Sequence, residues 1–180
     1  MDSAEPPPTI GSLLPRALQD PAKLVAELGG WVVVGAAPSA DAEEWTFRTV
    51  SSRTVRDESG AIEAILDETF VVYPLKKMKA GPWASTILVG RSRTNDVCIA
   101  HSSVSKLHAR VRIGPDGLFL SDAGSSNGTA VNGEAIKPET EHRLSHATQL
   151  RFGAKHFQVF EPGRFVDLLS RFSKTYPAKG

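Results

Sequence analysis

A single cysteine, Cys98, excludes an internal disulfide framework in this 180-residue chain and fits a reducing compartment. Excess charge of either sign is also missing. With 21 basic against 20 acidic residues the net charge is +1, so no global field draws the protein onto nucleic acid or a membrane. No apolar run approaches the roughly 18 residues of a membrane span, and the start, Met1-Asp2-Ser3-Ala4-Glu5, lacks the cationic and apolar regions of a secretory signal. The expectation is a soluble, cytoplasmic protein with no membrane partner. The flanking Val97 and Ile99 make Cys98 read as a small core residue, not a nucleophile.

What is present is local asymmetry. Between Ser85 and Arg112 stand Arg91, Arg93, Lys106, Arg110 and Arg112 against one acid, Asp96. Between Asp57 and Glu68 stand five acids and no base. The basic stretch lacks interleaved aromatics, so it is a poor nucleic-acid signal, and Arg93, Arg110 and Arg112 read as a solvated strand face.

Residues 1–9 are proline-rich and read as a mobile tail closed by Thr9. Asp20-Pro21 is an N-cap with proline at the first helical position, Leu24, Val25 and Leu28 share a face, and Gly29-Gly30 stops the helix. The pattern predicts a helix over Pro21 to Leu28, with Leu13, Leu14, Ala17 and Leu18 adding a preceding turn or two. Trp31 to Val34, Trp45 to Val50 and Phe70 to Leu75 read as strands, and Ala61 to Leu66 as strand or helix. Together, residues 10–75 form an α+β extension of unknown role.

From Trp83 the pattern changes to short apolar runs bounded by Gly, Pro, Asn, Asp or Ser. Eight strands are predicted: Ser85 to Val89, Val97 to Ile99, His108 to Ile113, Leu118 to Ser121, Thr129 to Val131, Thr140 to Leu144, Gln149 to Phe152 and Lys155 to Glu161. That spacing indicates an antiparallel β-sandwich or barrel over residues 76–161. Beyond Pro162, over residues 162–180, Phe165, Leu168, Leu169 and Phe172 make one apolar face of a short C-terminal helix, which packs on the sandwich or docks a partner.

Two polar clusters lie in the turns between these strands. Arg91, Ser105 and Lys106 offer a guanidinium, a hydroxyl and an ammonium, the donors a phosphate group needs. Asn127, on a third loop, has the donor and acceptor that a peptide backbone requires. If the strands end on one rim, the set recognises a phosphorylated peptide.

Gly90-Arg91, Asn95-Asp96, Val104-Ser105-Lys106-Leu107-His108-Ala109, Gly124-Ser125-Ser126-Asn127-Gly128-Thr129 and Val131-Asn132-Gly133 closely resemble the forkhead-associated (FHA) domain, over roughly residues 83–161. The resemblance implies an eleven-stranded β-sandwich that binds phosphothreonine peptides through loops at one end, without catalysis or cofactor. It implies that Arg91 and Ser105 hold the phosphate, Lys106 assists, Ser126 supports the phosphate loop or threonine pocket, and Asn127 bonds the peptide main chain. Gly90, His108, Gly128, Asn132 and Gly133 then support the site, His108 as a buried anchor. The implied partners are phosphothreonine proteins of a Ser/Thr kinase pathway.

Rival readings are weaker. Gly124-Ser125-Ser126-Asn127-Gly128 satisfies G-x-S-x-G, but that nucleophile motif needs a helix to follow, and Thr129-Ala130-Val131 is β-type. His142 and His146 suit a metal only on a helix. Gly29, Gly30 and Gly35 do not make a dinucleotide fingerprint, because the first two precede their strand. A scaffold acting through residues 10–75 or the C-terminal helix, with phosphate-independent binding, is the main alternative. Thr9, if phosphorylated, could occupy the chain's own site.

Overall fold

The computed structural model describes residues 6–37, 53–78 and 85–176. The strand expected over Trp45 to Val50 lies outside them. Among the described residues, three helices, α1 (Ile10–Gln19), α2 (Pro21–Leu28) and α3 (Pro162–Thr175), accompany thirteen strands. These are β1 (Val32–Gly35), β2 (Arg53–Arg56), β3 (Ile62–Leu66), β4 (Val71–Pro74), β5 (Thr86–Gly90), β6 (Val97–Cys98), β7 (Ala109–Gly114), β8 (Gly117–Asp122), β9 (Thr129–Val131), β10 (Glu134–Ala135), β11 (His142–Leu144), β12 (Gln149–Phe152) and β13 (Lys155–Phe160).

Helix α2 follows its sequence signals. The Asp20 side chain accepts the Lys23 amide at 2.9 Å, and Gly29 closes the helix in the left-handed region at φ 69°. Helix α1 is longer than the turn or two expected. Thr9 caps it reciprocally with Ser12, and Pro15 is tolerated inside. The tail expectation therefore fails at its end, since Thr9 also bridges Val71 and the Pro8 carbonyl accepts the Val72 amide at 2.8 Å.

A six-stranded sheet, β10-β9-β12-β13-β1-β4, faces a five-stranded sheet, β11-β8-β7-β5-β6, and a separate hairpin, β2-β3, lies beside them. The two large sheets hold the eleven strands that the resemblance implies. Among the described residues the named strands pair antiparallel except β5 with β6, where Val89 pairs with Val97 in parallel. The short β10 was not among the expected strands, because Glu134 and Ala135 are exposed and carry no apolar signal.

The boundary drawn at residue 75 does not follow the sheet. Strand β1 lies between β13 and β4, with Val33 opposite both Val159 and Tyr73. Residues of the supposed extension thus complete the sandwich. The unbroken Val32-Val33-Val34 run reflects burial on both faces: Val33 enters the core between the sheets, while Val32 and Val34 enter a second core under the helices. That second core holds Leu13, Leu24 and the α3 face of Phe165, Leu168, Leu169 and Phe172. Phe165 and Phe172 are fully buried, and truncating either to alanine is worth about 3–5 kcal/mol of stability. The apolar face of α3 is consumed inside the protein, which removes it as a docking face.

Candidate functional site: a cationic loop rim

Antiparallel pairing sets the rim. Strand β5 ends at Gly90, β7 begins at Ala109 opposite Val89, and β8 ends at Asp122 opposite Ala109. Strand β9 starts at Thr129, opposite Phe152 at the end of β12. The loops 91–96, 99–108 and 123–128 and the β12–β13 turn therefore share one end of the sandwich.

The first two loops are tied by backbone. The Arg91 amide donates to the Ser105 carbonyl at 2.8 Å, and the Ser92 amide to the Lys106 carbonyl at 3.1 Å. Buried Asn95 reinforces the tie, its Nδ2 donating to the carbonyls of Lys106 at 2.6 Å and Ser92 at 3.0 Å. Gly90 is required by space: a Cβ there would meet the Lys106 carbonyl oxygen at 2.5 Å and the His108 nitrogen at 2.9 Å. Gly128 is required by conformation, with φ at 74° and open space around it.

His108 is 0% exposed and joins the second loop to the third. Its Nδ1 accepts the Ser105 amide at 3.0 Å, so Nε2 carries the ring proton and donates to the Gly128 carbonyl at 3.2 Å. Burial, above all, holds its pKa below the ordinary 6.5. Both ring nitrogens serve the backbone, as an anchor requires and a general base does not.

Asp122, 1% exposed, organises the third loop. It accepts the amides of Gly124 at 2.9 Å and Ser125 at 2.8 Å and the hydroxyls of Ser125 at 2.6 Å and Thr129 at 2.5 Å. Burial opposes its ionisation, but the Ser125 and Thr129 hydroxyls and the two amides outweigh burial and hold the pKa below 3.8. The sequence reading missed Asp122; its signal was an aspartate two residues before a glycine, the pattern of an Asx turn.

Arg91, Lys106, Ser126 and Asn127 are exposed and Ser105 is half-buried. Arg91 Nε donates to the Val104 carbonyl at 3.1 Å, which fixes the guanidinium while its Nη groups bond to nothing among the described residues. Lys106 likewise has no ion pair among them, whereas Arg110 pairs with Glu139, and Arg112 with Asp116 and Glu141. The Ser105 hydroxyl accepts the Ser126 amide at 3.0 Å, and Asn127 Nδ2 donates to the Ser103 carbonyl at 2.9 Å. Arg91, Ser105, Lys106, Ser126 and Asn127 are thus brought together. Asn132 and Gly133 are not: Asn132 is bound to Gln149 at the far end of β9.

The rival chemistries lack their geometry. Ser126 precedes a strand, not a helix. His142 is in β11, while His146 bonds Glu63 at 3.0 Å, and no group of three metal-ligating side chains occurs among the described residues. None of the described helices is long and apolar enough to cross a membrane. Cys98 is half-buried, because strand alternation turns it away from the core that Val97 and Ile99 enter.

A sandwich with an anion-ready rim of loops at one end defines a class of binding module. Residues 87–153 match the family model of the FHA domain, and the chain carries an FHA domain there. The matched stretch leaves out β1, β4 and β13, which complete the six-stranded sheet. An FHA domain-containing protein of Arabidopsis thaliana is 37% identical over 38% of this chain and 18% of its own length. Human Kanadaptin is 35% identical over 45% of this chain and 14% of its own length. The chain therefore spans under a fifth of either relative. Among solved structures, the FHA domain of the CT664 protein from Chlamydia trachomatis is similar, with TM-score 0.46 and 22% identity, over 73% of this chain and 96% of that one.

Proposed function

We propose that this chain binds phosphothreonine-containing segments of proteins in a Ser/Thr kinase pathway, by capture and not by catalysis. One observation carries the reading: two cations without an acidic partner among the described residues, Arg91 and Lys106, flank a serine hydroxyl whose acceptor side is already occupied by Ser126. The phosphate of phosphothreonine brings about −1.5 to −2 charges and three acceptor oxygens, which match a guanidinium, an ammonium and a hydroxyl donor. Asn127 has one amide hydrogen committed to Ser103, so its carbonyl oxygen is left to accept a peptide N–H. The match to the FHA family model supports the same reading. Nucleic acid is disfavoured as a partner because Arg110 and Arg112 are already neutralised by acids.

Fluorescence anisotropy with paired phosphorylated and unphosphorylated threonine peptides tests this. Wild type is expected to bind only the phosphorylated member. Arg91→Ala is expected to lose about 1.5–3 kcal/mol, the worth of a hydrogen bond to a charged group. Equal affinity for both peptides would overturn the proposal.

A further inference from the structure

The chain has three asparagines, and two of them stand before glycine. Asn95 is buried, with its Nδ2 committed to two carbonyls. Asn127 and Asn132 are exposed, Asn127-Gly128 just before β9 and Asn132-Gly133 just after it. An exposed asparagine before glycine is a reactive pair, because no Cβ on the second residue hinders its main-chain nitrogen from approaching the carboxamide carbon. Asparagine is a thermolabile residue for this reason.

The two pairs are held differently. Asn132 is fixed from two sides: its Oδ1 accepts the Gln149 amide at 2.9 Å, and its own amide donates to the Gln149 carbonyl at 2.8 Å. Asn132 and Gly133, at φ 50° and 86°, form the two-residue turn between β9 and β10. At Asn127 only Nδ2 is engaged, by the Ser103 carbonyl at 2.9 Å in a solvent-exposed bond, and the carboxamide oxygen is open among the described residues. The Gly128 amide donates to nothing among them, while its carbonyl accepts His108 Nε2 and the Gly153 amide. Charge separates the pairs as well. A main-chain amide that gives up its proton becomes an anion, which the cations of the rim, Arg91 and Lys106, favour at Gly128 and the adjoining Glu134 opposes at Gly133.

We infer that Asn127 is a site of spontaneous deamidation, and that this reaction switches the rim off. The Gly128 nitrogen, its proton lost to solvent base, bonds to Asn127 Cγ. The Cγ–Nδ2 bond breaks, and Nδ2 takes a proton from water and leaves as ammonia. A succinimide ring remains, and water adds to one of its two carbonyls. Opening at Cγ gives aspartate; opening at the main-chain carbonyl gives isoaspartate, which adds a carbon to the main chain just before Gly128. Either product loses the donor to Ser103 and adds a negative charge where a phosphate is to bind. Isoaspartate also shifts Gly128, whose carbonyl anchors His108. The effect on binding rests on the phosphopeptide reading above; the reaction itself does not.

The 180-residue chain is aged in mildly alkaline buffer, with and without a saturating phosphothreonine peptide, and sampled over time. Peptide mapping by mass spectrometry reads the mass gain at each asparagine, an isoaspartyl methyltransferase reads isoaspartate, and anisotropy reads the fraction still able to bind. Asn127 is expected to convert first, Asn132 several-fold more slowly and Asn95 not at all. The rate is expected to rise with pH, because the attacking nitrogen must lose its proton. Phosphopeptide is expected to slow conversion at Asn127 alone, by pinning the carboxamide oxygen, and the unphosphorylated peptide to have no effect. Asn127→Asp, one product made directly, is expected to bind phosphopeptide at least about tenfold more weakly. If that variant does not fold, the aged wild type decides, since its binding fraction must fall in step with conversion at Asn127. Conversion at Asn132 as fast as at Asn127, no conversion at Asn127, or full binding by converted protein would overturn the inference. Selective conversion at Asn127 in a protein that does not prefer the phosphorylated peptide would uphold the reaction and sink the phosphopeptide reading.

Discussion

The Ser105 hydroxyl oxygen accepts the backbone amide of Ser126 at 3.0 Å, a contact that joins two loops 21 residues apart in sequence. Because the oxygen is the acceptor, the hydroxyl proton is left to donate elsewhere, and the rim is where a phosphate oxygen would take it. Ser105→Ala removes both the donor and the loop tie. Affinity for a phosphothreonine peptide is expected to fall by about 1.5–3 kcal/mol, with thermal stability reduced by only about 1 kcal/mol. Titration calorimetry beside a melting curve separates the two. A binding loss no larger than the stability loss would count against a direct contact.

Gly90 and Gly128 flank the same site for different reasons, and substitutions should report the difference. Gly90→Ala forces a Cβ against backbone and is expected to cost about 1–3 kcal/mol through overpacking. Gly128→Ala meets no atom and is expected to cost about 1–2 kcal/mol from its left-handed φ alone. Gly128→Asn should recover part of that loss, since asparagine tolerates this region, whereas Gly90→Asn should be worse than Gly90→Ala. Chemical denaturation of the four variants checks the ordering.

His108 makes stability depend on pH in a defined direction. Its folded pKa lies below 6.5, with burial first among the causes, so the folded state excludes a proton that the unfolded chain accepts. The contribution is complete above about pH 6.5 and declines as pH falls through the folded value. Melting temperature is expected to drop between pH 7 and 5 in wild type and to drop less in His108→Gln. His156 is also lowered, by burial and then Arg151, so His156→Gln serves as the comparison. Asp122, lowered from 3.8, acts only in a more acidic window.

A fragment of residues 76–180 contains every rim residue but lacks β1 and β4. It is expected not to fold, because β13 loses its neighbour in the six-stranded sheet and Val159 loses part of its packing. A dispersed amide NMR spectrum from that fragment would contradict this. A fragment starting at residue 6 is expected to retain the native spectrum.

Much of this was legible in the sequence where signals are local. Asp20-Pro21 and Gly29 bounded α2, and the turn residues after Trp83 bounded each of the eight expected strands to within about two residues. The rim side chains were legible because Arg91, Ser105, Lys106 and Asn127 occupy turn sequence where no core claims them. What was not legible is long-range. A run such as Val32-Val33-Val34 announces a strand but not its partners, so its place inside the sandwich could not be read. Backbone participants at the rim, the carbonyls of Ser103 and Val104, carry no residue-type signal. The full length of α1 was hidden by Pro15 and by a cap on Thr9 that a proline-rich approach disguised.

The central position of β1 bears on how the chain is made. Val32 pairs with Phe160 across roughly 130 residues, so β1 must wait for a strand synthesised that much later. During translation its three valines have no β13 to lie against until that strand has emerged, and the six-stranded sheet closes only then. The nascent chain thus carries an open, sticky template over that interval, which marks β1 as the segment a chaperone would shield.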